Sequence, residues 1–193
     1  MKTLLGCLIL ALTAGWASAD VPYPPLCSVE PADQLNGILI APGGSDERDW
    51  HYDEEIHIRN ELGLPIPDVD VHVEFHVDGM RYCADCEFEA RTEPDGSCRI
   101  RLRGSGCSHF RGGRDDVAVT IYADGMVIRE YVNVKSPDFN GADSDLEVSL
   151  GDFAFFASSF AGLCDPCADY DNSGNVDLGD FAIFSTAWGE RCN

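Results

Sequence analysis

Asp169-Tyr170-Asp171-Asn172-Ser173-Gly174-Asn175-Val176-Asp177-Leu178-Gly179-Asp180-Phe181 carries the pattern from which the C-terminal part of this chain is read. With Asp169 as position 1, oxygen side chains fall at positions 1, 3, 5, 9 and 12, as Asp169, Asp171, Ser173, Asp177 and Asp180, with Gly174 at position 6 and Val176 at position 8. A hard cation the size of Ca2+ takes six to eight oxygens. A short loop can wrap it only by turning sharply at its sixth residue, where glycine has no Cβ to clash. Asn175 would lend its backbone carbonyl, Asp177 would act through a water, and Asp180 would close the site from the first turn of a following helix. Aspartate there is shorter than the usual glutamate, so bidentate closure asks for a tighter loop.

This EF-hand-type loop has a partner twenty-eight residues upstream. Residues 148–164 and 176–192 share Val148/Val176, Leu150/Leu178, Gly151/Gly179, Asp152/Asp180, Phe153/Phe181, Ala154/Ala182, Phe156/Phe184 and Cys164/Cys192, eight of seventeen positions, which marks a duplicated unit. Each copy carries one apolar stripe at helical spacing: Leu150, Phe153, Phe156 and Phe160 in the first, Leu178, Phe181, Phe184 and Trp188 in the second. Ser149 and Asp177 stand as N-caps, each followed three residues later by an Asp, so a helix is predicted to start after each. Neither helix can bury its aromatic face alone, so the two are expected to pack together.

Over residues 136–193 this paired loop-helix segment resembles a bacterial dockerin domain. The resemblance implies two Ca2+ loops, each followed by a helix, and docking onto a cohesin-type module of another protein, on a scaffold or cell surface. It puts the ligands of the second loop on Asp169, Asp171, Ser173, Asn175, Asp177 and Asp180. The first loop has two readings. Forward, Asp138 and Asn140 take positions 1 and 3; backward from Asp152, position 1 falls on Gly141, 3 on Asp143, 5 on Asp145 and 6 on Leu146. They differ by three residues, the size of an insertion. The positions that face cohesin in dockerins correspond here to Leu150-Gly151 and Leu178-Gly179.

Residues 1–19 hold one Lys, an apolar run from Leu4 to Trp16 and then Ala17-Ser18-Ala19, a secretory signal peptide with cleavage expected after Ala19. The protein is therefore expected outside the cell or at its surface, without membrane insertion, since the run is too short to span a bilayer. Lys and Arg number 13 against 34 Asp and Glu, a formal net charge of −21 that repels nucleic acid and anionic membranes and attracts divalent cations.

After residue 19 eight cysteines remain, an even count that reads as disulfides in an exported chain. Four lie between Cys83 and Cys107, which suggests local bridges. Cys192 is expected to clasp the duplicated unit by pairing with Cys164 or Cys167. Cys83-Ala-Asp-Cys86 has no βαβ setting and no matching second pair at zinc-ribbon spacing, which argues against redox or zinc chemistry.

Residues 20–34, with four prolines, are expected to be an extended N-terminal arm. Strand patterns then follow at 37–41, 55–59, 70–77 and 97–103, and 117–134 reads as a hairpin around Asp124-Gly125. The expected fold is mainly β: an immunoglobulin-like β-sandwich over 35–135, followed by a small all-α dockerin-like domain over 136–193. Gly63-Leu64-Pro65-Ile66-Pro67-Asp68-Val69-Asp70-Val71, with Pro94-Asp95-Gly96 and the closing hairpin, resembles bacterial immunoglobulin-like domains of the invasin or adhesin type, which act as spacers or binding modules.

No catalytic constellation stands out, and the chain is not expected to be an enzyme. His72, Glu74 and His76 share a strand face, but residues four apart on a strand are roughly 13 Å apart, too far for one ion. Ser105 and Ser108 beside His109 lie in a Gly-rich turn without a nucleophile elbow. Arg99, Arg101, Arg103, Arg111 and Arg114 are expected to offset neighbouring acids. The leading expectation is a secreted Ca2+-binding protein that docks onto a cohesin-type partner and displays the sandwich. The alternatives are an adhesin or carbohydrate-binding protein with structural Ca2+, and a component of a polysaccharide-degrading enzyme.

Overall fold

Alternation over 70–77 follows from a sheet with one dry face: Val71 and Val73 are buried, while Asp70, His72 and Glu74 face solvent. The computed structural model describes residues 20–43, 52–109, 117–141, 144–163 and 165–192; the expected signal peptide at 1–19, Arg111, Arg114, Asp143 and Cys164 lie outside them. The strands are β1 (Ser28–Glu30), β2 (Ile38–Leu39), β3 (Asp53–His57), β4 (Asp70–Phe75), β5 (Arg81–Tyr82), β6 (Glu89–Arg91), β7 (Ser97–Arg101), β8 (Gly104–Ser105), β9 (Cys107–His109), β10 (Val119–Ala123), β11 (Met126–Tyr131) and β12 (Asn133–Lys135). The helices are α1 (Ala32–Leu35), α2 (Leu150–Ser158) and α3 (Leu178–Thr186).

The fold is mainly β. Two antiparallel sheets, ordered β1-β3-β7 and β11-β10-β4-β6, share one apolar core. Val29, Ile56 and Ile100 enter it from the first, and Val71, Val73, Val119, Ile121 and Ile128 from the second. A third sheet, β2-β12-β9, sets β2 parallel to β12 and leads into the C-terminal unit. The expected strands and the hairpin at Asp124-Gly125 are present with ends shifted by a residue or two, except that the hairpin, expected to reach Val134, stops at Tyr131, and Asn133–Lys135 leave it to pair with β2 and β9. Segment 20–34 differs from the expected arm. Its middle is β1, paired with β3, and it ends in the one-turn α1, because Val29 and Ala32 have core to bury. Arg129 fastens it by donating to Asp33 Oδ1 at 2.8 Å and to the Pro24 carbonyl at 2.9 Å.

Both long helices begin where the sequence says. Ser149 and Asp177 each accept from the backbone two residues on, and Asp152 and Asp180 reach back to the cap N–H, a reciprocal cap worth about 1 kcal/mol per helix. The helices pack through Phe156 and Phe184, stacked at 5.3 Å between centroids. Their core is not their own. Leu39, Ala41 and Tyr52 join Val148, Phe156, Ala168, Tyr170, Ile183, Phe184 and Ala187 in one cluster, and Tyr52 donates its hydroxyl to the Ile183 carbonyl at 2.9 Å.

The cysteine pairing departs from both expectations. Cys83 bonds Cys192 and Cys107 bonds Cys167, so both bridges run from the β part to the helical unit. The helical unit packs on β2, Tyr52 and Lys135, and the fold brings these Cα atoms to 5.4 and 5.8 Å, whereas nearness in sequence aims no Cβ at its partner. Sheet register keeps Cys27 and Cys98 apart: they flank β3 on opposite sides, roughly 11 Å from each other, and both are free thiols. Such bridges are made in oxidising compartments. Among the described residues no helix is long and apolar enough to cross a membrane.

Candidate metal centre

The loop at 169–180 is gathered by its own backbone. Gly174 takes φ 89°, the turn that required a glycine. Asp169 accepts from the N–H groups of Ser173 and Gly174, both at 3.0 Å, and Asp171 accepts from Ser173 at 2.9 Å. Asp180 reaches back from α3, its Oδ1 accepting from Tyr170 and Asp171 at 2.6 and 3.2 Å and its Oδ2 from Asp177 at 2.8 Å.

Carboxylate oxygens of Asp169, Asp171 and Asp180 consequently lie within 4.8 Å of one another. With metal–oxygen distances of about 2.3–2.6 Å, one ion can touch oxygens up to about 5 Å apart, so the three residues fit a hard divalent cation. Their donors are all hard oxygens, which disfavours soft metals. Burial pushes the Asp169 and Asp180 carboxyls above the usual carboxylate range; around Asp169 the Lys135 charge works against that shift. A bound divalent cation would reverse the cost of drawing these acids together.

Lys135, the last residue of β12, lies behind this loop and is 2% exposed. Its Nζ donates to the Asp169 carbonyl and, at 2.6 Å, to Asn172 Oδ1. Burial lowers its ammonium below the usual lysine value, while Asp169, Asp180 and Asp171 pull it back up. Asn172 joins the loop to the β part on two further sides, accepting from Asn133 Nδ2 at 3.0 Å and donating to the Leu35 carbonyl at 2.7 Å.

The other expected ligands take different stations. Asp177 caps α3, its Oδ1 accepting from Gly179 N–H at 2.7 Å, and stands outside the three-carboxylate group. Ser173 donates its hydroxyl to the Asn175 carbonyl at 3.2 Å.

In the first loop each reading is right about one half. Asp138 accepts from the N–H groups of Asp145 and Leu146, each three residues further along than the Ser173 and Gly174 donors of Asp169. Leu146 therefore stands where Gly174 does, and it takes the same left-handed turn at φ 70°. Asp138 is position 1, Asp152 is the closing residue, and three residues are inserted between. Burial and then the Asp152 charge push the Asp138 carboxyl up to about 6. Asp152 is occupied with its cap, accepting from Ser149 N–H at 2.8 Å. Asp145 and Asn140 are exposed, Asp145 accepting from Glu147 N–H at 3.2 Å, and Asp143 lies outside the described residues. Among the described residues, only the second loop brings three carboxylates together.

Outside the loops, the paired helices turn much of their apolar stripe to solvent. Leu150 and Leu178 are 71% and 72% exposed, whereas Phe156 and Phe184, on the same stripes, are buried. Phe153, Phe181 and Trp188 border a hollow of about 310 Å³ between the helices, and Phe160 a neighbouring one of about 250 Å³. Gly151 and Gly179 are exposed beside the leucines. On the sheet, His72 and His76 engage different partners, Glu89 at 3.5 Å and Thr120 at 2.8 Å. Arg99 meets Glu55 at 3.4 Å and the buried Arg103 meets Asp53 at 2.7 Å.

Sequence reading missed Tyr52 and Lys135 as parts of this region, and missed that Asn172 ties the loop to the β part. For Lys135 a signal existed: it is the one lysine after Lys2, in a chain whose other cations are arginines. Comparison with protein-family models, with curated proteins and with solved structures finds no match.

Proposed function

We propose that this is an exported, non-catalytic Ca2+-binding protein whose paired helices dock onto a cohesin-type module of a partner protein, with the β part as the displayed module. The observation that carries this reading is the apolar surface shared by α2 and α3. Leu150 and Leu178 hold equivalent positions in the two repeats and are both left in water, with Phe153, Phe160, Phe181 and Trp188 around them. A contiguous apolar surface of this kind is uncommon on a monomer and marks a contact site. Calcium supports docking because each helix starts from a carboxylate loop. An ion held by Asp169, Asp171 and Asp180 fixes where α3 begins, and with it the Leu178 side of the surface.

The test is a calorimetric titration of residues 20–193 with purified cohesin modules, in Ca2+ and in chelator. Binding is expected only in Ca2+, and Leu150→Asp with Leu178→Asp together should abolish it while leaving the circular dichroism spectrum unchanged. Binding that survives the double substitution, or no heat with any cohesin module in Ca2+, would overturn the reading.

A further inference from the structure

We infer that Lys135 is the resident cation of the second loop: its ammonium holds the three carboxylates together before a divalent ion arrives, and it then weakens that ion's binding. The inference rests on the loop being a Ca2+ site. It adds a residue from the β part, forty-five positions before Asp180, that no loop pattern contains.

Three acids collected in a partly dry loop need a counter-charge. Asp169, Asp171 and Asp180 have their oxygens within 4.8 Å of one another, and among the described residues the cation nearest to hand is Lys135. Its placement is built rather than incidental. The side chain is buried, its Nζ donates to the Asp169 carbonyl and to Asn172 Oδ1, and it interacts electrostatically with all three acids. Gly37 lies against this contact: a Cβ there would come within 2.9 Å of Asn172 Nδ2 and 3.2 Å of Asn133, so a larger residue would press on Asn172 where it meets Leu35 and Lys135. The choice of lysine is also informative. An ammonium is a compact point charge on a flexible stem, so it can lie behind the loop and donate to two of its oxygens at once.

The consequence is a negative coupling between two cations. In the ion-free loop Lys135 attracts the carboxylates and stabilises the fold; with the ion bound, the same charge is repelled by the ion. Coupling is reciprocal, so the part of Lys135's stabilisation that is lost when the ion binds equals what Lys135 takes from Ca2+ affinity.

The experiment uses residues 20–193 with Lys135→Met, which keeps the length and apolar character of the stem and removes the charge, and Lys135→Arg, which keeps the charge. Asn172 remains held by Asn133 and Leu35 in both. Calorimetric Ca2+ titration is expected to show Lys135→Met binding about tenfold to hundredfold tighter than the parent, with Lys135→Arg staying near the parent. Thermal melting in chelator is expected to show Lys135→Met melting lower, with the gap narrowing or closing in saturating Ca2+. Equal Ca2+ affinity in parent and Lys135→Met, or weaker binding by Lys135→Met, would overturn the inference while leaving the site intact. A parent that binds no Ca2+ would instead sink the metal reading itself, and the inference with it.

Should Lys135→Met fail to fold, the parent still decides. With ¹³C-labelled lysine, residues 20–193 give one side-chain Cε resonance, because no other lysine is present. That resonance must shift as Ca2+ fills the loop, and a signal that stays put through saturation refutes the coupling.

Discussion

Glu54 gives a prediction whose sign and size follow from its surroundings. It lies on β3 with no solvent exposure; Oε2 accepts from Ala32 N–H at 3.3 Å, and Oε1 has no hydrogen-bond partner. Burial, with the charges of Asp33, Asp53 and Glu30 adding to it, pushes the carboxyl up from 4.5 to about 8. The folded protein therefore holds this proton between pH 4.5 and 8 while the unfolded chain gives it up. A raised carboxyl contributes its stability below the unfolded value and loses it as pH rises through the folded one, so stability must fall across this window. At 1.36 kcal/mol per pH unit the loss is about 3 kcal/mol at pH 7 and levels off near 5 kcal/mol above pH 8. Glu54→Gln keeps the shape and cannot ionise. Urea unfolding of both proteins in chelator from pH 4 to 8.5 should show nearly equal stability at pH 4 and a gap in favour of the variant that widens with pH. Comparing the two removes the general effect of the acidic surface, which both share. Parallel curves across the range would refute the assignment of Glu54 as a buried neutral acid.

At the candidate site, Asp180→Ala should abolish Ca2+ binding by the second loop, whereas Asp152→Ala should leave that titration nearly unchanged; equal loss from both would contradict the asymmetry of the loops. Replacing Cys83 and Cys192 by Ala, or Cys107 and Cys167 by Ser, should each cost about 4 kcal/mol, since the bridges span 109 and 60 residues, and denaturant midpoints would measure it. Leu146→Gly should raise stability by up to about 1 kcal/mol, because φ 70° strains a leucine and not a glycine; a lower melting temperature would show that the leucine side chain earns its strain through packing. Phe156→Ala should cost about 3–5 kcal/mol in the same assay, given its ring contacts with Tyr170 and Phe184.

What the sequence disclosed was local. The second loop, the two caps and the helix stripes each depend on residues a few positions apart, and the strands on a period of two, so pattern alone reached them. The first loop was legible only as two competing registers, since an insertion breaks the spacing and the hydrogen bonds of Asp138 decide how the halves join. Disulfide partners, the Tyr52 contact with α3 and the placement of Lys135 join segments 34 to 131 residues apart, and such choices are made by packing between elements. The leucines and phenylalanines were read as one stripe to be buried between the helices, whereas the structure buries Phe156 and Phe184 and leaves Leu150 and Leu178 in water. Which part of the stripe met water depended on β2 and Tyr52 covering the other part.

The two bridges also bear on how this protein would carry load. If a partner gripped the face at Leu150 and Leu178 while the N-terminal end were held, tension would enter the helices and cross to the sheets by the Cys192–Cys83 and Cys167–Cys107 bonds. The force path crosses from Cys83 directly to Cys192, so within the covalent ring only short arms, such as the stretch from Leu178 to Cys192, can pay out as slack. The chain before Cys83, including β1, β3 and β4, would supply most of the length drawn out, so reducing agents should lengthen the extension released in a single-molecule pull.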